Sequence, residues 1–232
     1  GIAPYTSYAT SFERICGADA GGSAFDPSNG EQFEIGVKYE PKNFNALFTL
    51  SAFHLTQENV LTPDPDPANA GFSVQTGEVE IRGIEMESKV ALTEGLSLVG
   101  GVTWFDCEVT RSNIGGEEGE PKGAVPDHMA SLWLDYTFRH GFAEGFGAGV
   151  GVRYIGSRYG ANAAGFRIPS VGVIDAAIRY DLGKLTSSLQ GASVSLTASN
   201  LGDDTYVAKA ETLTSANYGP GRVVSLNLNY NW

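Results

Sequence analysis

A chain of 232 residues with a formal charge of -12 and a sequence pI near 4.6 lacks the basic footprint that nucleic acid requires, so that class of partner is excluded. Glycine is abundant at 30 residues, charged residues make only 18% and aromatic residues 11%, a mixture that suits β-structure with tight turns better than helices rich in Ala, Glu, Lys and Leu. No run of about 18 apolar residues occurs, which excludes a helical membrane span and leaves one made of strands open.

Read in order, two-residue alternation predicts ten strands. They are Ala3–Glu13, Glu31–Glu40, Asn45–Gln57, Phe72–Leu92, Leu96–Thr110, Asp127–Phe138, Gly145–Tyr159, Pro169–Leu182, Ala192–Asn200 and Gly221–Trp232. The chain opens inside the first of them without an initiator Met, as expected of a mature product or a fragment. In the sixth strand Ala130, Leu132, Leu134, Tyr136 and Phe138 share a face against Met129, Ser131, Trp133, Asp135 and Thr137. In the seventh, Phe146, Ala148, Val150, Val152 and Tyr154 oppose Gly147, Gly149, Gly151 and Arg153, and these nine residues match the length a tilted strand needs to cross hydrocarbon. In the eighth, Ile174, Ala176, Ile178, Tyr180 and Leu182 oppose Val173, Asp175, Ala177, Arg179 and Asp181. The last strand sets Val224, Leu226, Leu228, Tyr230 and Trp232 against Val223, Ser225, Asn227, Asn229 and Asn231. One dry face and one face of amides, hydroxyls and charges is the pattern of a transmembrane barrel strand with a wet lumen.

The links between strands alternate in length. Pro41–Phe44, Thr93–Gly95, Arg139–Glu144 and Gly183–Gly191 are short, whereas Arg14–Gly30, Asn59–Gly71, Arg111–Pro126, Gly160–Ile168 and Leu201–Pro220 are long. Tight turns on one side and extended loops on the other describe an outer-membrane barrel. Every short link falls on the side of the C-terminus, which gathers Tyr39, Tyr136, Phe138, Phe146, Tyr180, Tyr230 and Trp232 into an aromatic girdle at that rim. The fold class is therefore all-β: an antiparallel transmembrane β-barrel of about ten strands.

The acidic residues Asp64, Asp66, Glu117, Glu118 and Glu120 fall in long loops, where they form a solvated rim or attract a cationic ligand. Cys16 and Cys107 lack metal-site spacing, and their positions leave open whether they pair. His54, His128 and His140 are scattered, and no GxSxG, HExxH or Walker-type loop accompanies them, so catalysis is not expected.

Several stretches then carry a family likeness: DPSNGEQFEIGVKYEP (Asp26–Pro41), Leu55–Thr62, QTGEVEIRGIEME (Gln75–Glu87), VPDHMASLWLDY (Val125–Tyr136), GVRYIGSRYG (Gly151–Gly160), PSVGVIDAAIRYDL (Pro169–Leu182) and ASNLGDDTYVA (Ala198–Ala208). In this order they resemble the C-terminal barrel portion of TonB-dependent siderophore receptors of the ferrichrome type. The resemblance implies residues 1–232 as a segment of a 22-stranded plugged barrel, with the plug domain, the N-terminal strands and the region that contacts TonB lying outside it. It also implies an outer-membrane receptor of a Gram-negative bacterium that takes up a ferric siderophore of hydroxamate type, in contact with outer-membrane lipid and energised by the TonB complex. The barrel assembly machinery would recognise the C-terminal strand. Where many members carry a Cys pair in the last long loop, Val207–Tyr218 has none, and the terminal residue is Trp232 where Phe is commoner.

A ferric siderophore brings iron already saturated by its own oxygens, so no cofactor or metal ligand of the protein's own is implied. Aromatic faces and hydrogen-bond donors suffice. Candidates near the outer rim are Trp104, Phe105, Tyr159, Phe166, Tyr206 and Tyr218, each of which also suits an upper girdle or loop packing. Arg153 and Arg158 would meet an anionic ligand or plug carboxylates, or else pair with Asp175 or Asp181 across neighbouring strands. The competing functional reading is a self-contained ten-stranded barrel, a passive pore or scaffold, which requires Ala3–Glu13 to pair with Gly221–Trp232.

Overall fold

The computed structural model describes residues 1–160, 166–212 and 215–231. Its strands are β1 (Ile2–Glu13), β2 (Ser28–Tyr39), β3 (Ala46–Pro63), β4 (Ser73–Ala91), β5 (Leu96–Arg111), β6 (His128–Thr137), β7 (Phe146–Ile155), β8 (Arg158–Tyr159), β9 (Arg167–Ile168), β10 (Val171–Asp181), β11 (Ala192–Ser199), β12 (Val207–Thr212), β13 (Ser215–Tyr218) and β14 (Val223–Tyr230). Ten of them form one sheet in the order β1-β2-β3-β4-β5-β6-β7-β10-β11-β14, so every stave lies beside the stave that precedes it in the chain. The remaining four pair off as two small hairpins, β8–β9 and β12–β13, inside the last two long loops.

All ten expected strands are present. The third runs on to Pro63 rather than stopping at Gln57, because bulges between Gln57 and Val60 and between Val60 and Thr62 break the alternation without ending the ladder. Asn59 sits in the left-handed region at φ 60°, the local cause of the first irregularity. The expected seventh strand is cut at Gly156 into β7 and β8, since the Gly156 amide donates to the His128 carbonyl and turns the chain out of the sheet. Trp232, expected in the girdle, lies outside the described residues.

The register assigns each side chain to a face. Starting from Val224, Leu226, Leu228 and Tyr230, the direct cross-strand partners are Ala198, Leu196, Val194 and Ala192, then Ala176, Ile178 and Tyr180, then Val150, Ala148 and Phe146. The same face continues through Leu134 and Leu132, Leu98 and Val102, Val90, Met86 and Ile84, Leu50 and Ala52, Val37 and Ile35, to Pro4 and Thr6 at the far edge. None of the described residues covers it: Leu226 and Leu228 are each 72% exposed, and Ile84, Met86, Val150 and Ile174 are about half exposed. A contiguous bare apolar surface of this extent fits hydrocarbon and not water.

Aromatic residues bound the apolar band. At the short-turn rim Tyr39 stacks on Phe48, Tyr136 meets Phe138 edge-on at 4.8 Å, and Phe138 lies 6.0 Å from Phe146. Tyr180 lies directly across from Phe146, and Tyr230 from Ala192. At the outer rim of the same face stand Tyr8 opposite Phe33, Trp104 opposite His128 and Ile84, and Tyr154 stacked on His128. From Phe146 to Tyr154 the strand climbs about 27 Å along its own axis.

A single layer has no conventional core. Among the described residues no large side chain is fully buried, and the best-buried apolar residues are small or medium, such as Val79, Cys107, Ile168 and Val173. Cys107 on the lumen side is buried and Cys16 exposed; both are free thiols, so the two do not pair. β1 and β14 stand at opposite ends of the sheet, and no ladder joins them among the described residues. The closure required by a self-contained ten-stranded barrel is not made.

Candidate functional site

The lumen face is paved by residues that glycines admit. Gly149 and Gly151 of β7 lie under the Trp133 ring of β6, close enough that a Cβ on either would sit 2.4 Å from the indole. Beside them Gly147 leaves room for Arg179 of β10 to reach over β7 to β6, where it donates to both Asp135 oxygens at 2.6 Å and to Thr137 Oγ1 at 2.6 Å. Arg153 of β7 grips Asp175 of β10 through Nε and Nη2, one of the two ion pairs expected for it, while Asp181 accepts from the Gly183 amide at the turn. Two-point carboxylate binding of this kind fixes the guanidinium plane and uses up its charge. Farther along the lumen Tyr5 donates to Glu34 at 2.6 Å. A groove of about 630 Å3 runs between, lined among others by Glu85, Glu87, Lys89, Thr103, Ser131 and Arg153.

Asp175 also links the lumen wall to the last loop, because its Oδ1 accepts the Asn200 amide at 2.9 Å. Asn200 is 2% exposed and left-handed at φ 51°. Its side chain donates to the carbonyls of Asp204 and Pro220 and accepts the Asp204 amide at 2.9 Å. The root of the loop is thereby stitched shut without a cysteine.

Above the band, the expected aromatic residues divide. Phe105, Tyr159 and Arg158 do come together, around a small cavity of about 220 Å3 shared with Lys122 and Arg167. Arg167 lies 4.6 Å over the Tyr159 ring and 3.6 Å from Asp127. Phe166 and Tyr206 are each laid on a glycine of their own hairpin root: Phe166 against Gly160, and Tyr206 against Gly219. Tyr218 at the end of β13 is 67% exposed. Trp104 takes the girdle role of the two expected for it. It lies on the lipid-facing parity with Leu98 and Val102, 52% exposed in the outer girdle, and does not face the lumen. Arg153 belongs to the lumen wall and is separate from the loop cluster.

Arg158 does not pair with Asp175 or Asp181. It is 3% exposed, and its guanidinium donates to backbone carbonyls of Val207, Ala208 and Gly156. Burial pushes its pKa below the ordinary arginine value. Parity puts Trp133 and Arg179 on the wet face without naming their partners, and Asn200 and Arg167 carry no such signal. For Trp133 and Arg179 a signal existed, since glycines alternating along the lumen side of one strand leave room for large side chains from its neighbours.

The histidines stand apart, each beside a carboxylate: His54 near Glu80 at 3.4 Å, His128 against Asp127 at 2.7 Å and His140 near Glu94 at 3.9 Å. Among the described residues no cluster of three or more His, Cys, Asp or Glu is arranged to hold a metal ion. The site thus offers a polar lumen wall with saturated arginines, and a loop cluster of aromatic and cationic groups above it.

Comparison with known proteins fits this geometry. The chain is 40% identical over 97% of its length to the ferrichrome outer membrane transporter/phage receptor of Escherichia coli K12, of which it covers 29%. It is 33% identical over 97% of its length to the ferrioxamine B receptor of Salmonella typhimurium, covering 31% of that protein. The chain therefore spans about 30% of the length of these relatives. Among solved structures it superposes on the ferric preacinetobactin receptor BauA of Acinetobacter baumannii with a TM-score of 0.74 at 26% identity, over 99% of this chain and 34% of that one. The ferripyoverdine receptor of Pseudomonas aeruginosa gives 0.72 at 22% identity, a likeness of fold, over 99% of this chain and 31% of that one. Residues 1–201 match the family model described as TonB dependent receptor-like, beta-barrel, and the chain belongs to that family.

Proposed function

We propose that residues 1–232 are the C-terminal barrel segment of an outer-membrane receptor that takes up a ferric siderophore of hydroxamate type, driven by TonB. The observation that carries this reading is the 40% identity to a ferrichrome transporter over 97% of the chain. The bare apolar face and the two unpaired sheet edges support it, since both call for lipid and for further strands. In this reading the rest of the parent protein supplies those strands, a plug and the TonB contact. Iron enters as the ligand's cargo, and the segment contributes a wall of the lumen and part of the outer vestibule. The engaged state of Arg153 and Arg179 favours a ligand without strong negative charge.

The test is iron-limited growth of a Gram-negative host lacking its own hydroxamate receptors and supplied with the complete reading frame. Ferric trihydroxamates serve as iron source, with and without functional TonB. Growth that needs both the receptor and TonB is expected. Growth on a ferric catecholate but on no hydroxamate would overturn the substrate class, and growth independent of TonB would overturn the energised mechanism.

A further inference from the structure

The loop between β7 and β10 carries a charge that has no counter-charge among the described residues. Arg158 is buried in β8, and among the described residues no carboxylate lies within ion-pair distance of it. Its Nε donates to the Ala208 carbonyl at 3.1 Å, Nη2 to the carbonyls of Ala208 at 2.8 Å and Val207, and Nη1 to that of Gly156 at 3.3 Å. The nearby carboxylate of Asp127 is occupied by Arg167 and by His128. A guanidinium so held is desolvated and solvated again by peptide dipoles, an arrangement that tolerates little displacement of those dipoles.

The carbonyls are available for a structural reason. The β12–β13 ladder pairs Val207 with Tyr218 and Lys209 with Asn217, so Ala208 is the extra residue of a bulge and stands outside the register. Its carbonyl turns toward β8 and meets the Arg158 fork. Arg158 itself is fixed on two sides, by Ile168 across the β8–β9 hairpin and by a backbone bridge to Pro126 at the end of the loop that follows β5. The side chain of Arg158 therefore ties the loops 156–170 and 200–222 together above the membrane, and its backbone holds the loop 112–127 to them.

We propose that Arg158 is a positioning residue for ligand capture. It locks the β12–β13 hairpin against the β8–β9 hairpin, so that Tyr159, Phe166 and Tyr206 are presented as one preformed wall and not as two independently moving loops. A preformed wall spares the ligand the entropy of ordering two loops, and the gain is read in affinity rather than in the rate of passage. The role in capture rests on the siderophore-receptor reading; the lock itself does not.

The experiment uses the full-length receptor in detergent, wild type against R158M and R158K. Amide hydrogen exchange is followed at 207–210, and ferric trihydroxamate binding is compared with maximal uptake rate in cells. In R158M, exchange at 207–210 is expected to rise roughly tenfold or more while β7 and β10 are unchanged. The Kd should rise about tenfold with the maximal uptake rate retained, and R158K should recover part of both effects. Unchanged exchange in R158M overturns the lock, and faster exchange with unaltered affinity overturns the positioning role. Should R158M not assemble, R158K decides, because an ammonium cannot span the same carbonyls and must still show a measurable rise in exchange. A wild-type receptor that binds no ferric trihydroxamate counts against the siderophore reading, and the exchange data still judge the lock.

Discussion

Arginine in a wet lumen is useful to a passing anion only while its charge is unspent, and here it is spent on neighbouring staves. Arg153 and Asp175 make a two-point contact, and Asp175 also accepts the Asn200 amide. Asp175→Ala should therefore lower stability by about 1–2 kcal/mol, a half-exposed arginine losing its carboxylate partner, and should loosen the root of the last loop. Chemical unfolding of the refolded receptor checks it, and additivity of R153A and D175A in the double variant would show that the two residues are uncoupled. The cysteines give a second residue-scale test. Cys107 is buried and Cys16 exposed, so a thiol reagent reaches the first with difficulty and the second freely. Maleimide at pH 8 is expected to label exposed Cys16 and leave Cys107. Equal labelling of both sites by mass spectrometry would contradict the buried environment.

At the scale of the strand, function depends on which parity faces lipid. Val150, midway between Phe146 and Tyr154, faces hydrocarbon, whereas Thr197 of β11 lies on the lumen side among Ala177 and Ser225. Val150→Arg should cost about 2–4 kcal/mol and Thr197→Arg far less, measured by urea titration of the refolded receptor; equal costs would mean that the faces are wrongly assigned. The lumen paving gives another contrast. Gly149→Ala places a methyl 2.4 Å from the Trp133 ring and should destabilise by about 1–3 kcal/mol, with much of the loss recovered in a W133A background. The strands and their faces were legible in the sequence because alternation is a local property, and β6, β7 and β10 carry it without interruption. It failed to extend β3 past Gln57, where a bulge shifts the phase. Trp104 shows two readings that sequence left open, ligand contact or upper girdle, where its parity with Leu98 and Val102 favours the girdle. Arg158 was illegible in a deeper sense. Its partners are main-chain carbonyls, which carry no side-chain signature, brought near by a loop about fifty residues downstream.

At the scale of the whole molecule, an open ten-stranded sheet with a bare apolar face cannot be an end state in a bilayer, because each edge leaves a row of unpaired backbone groups. Refolded alone into planar bilayers, residues 1–232 are expected to give no steady single-channel conductance and no heat-modifiable band. Both should return when the remaining part of the parent receptor is supplied. A stable, ligand-insensitive conductance from the segment alone would mean that β1 and β14 can find each other after all. The strand order has a further consequence for how such receptors diversify. Because every stave pairs with its neighbour in the chain, each outer loop begins and ends on adjacent staves, and exchanging one by recombination leaves the register of the barrel untouched. Residues 112–127, 156–170 and 200–222 are an exception, because they are tied to one another. With the Arg158 fork on one, its carbonyls on another and the Pro126 bridge on the third, a crossover falling between them separates contacting partners, so these three loops are expected to be inherited together.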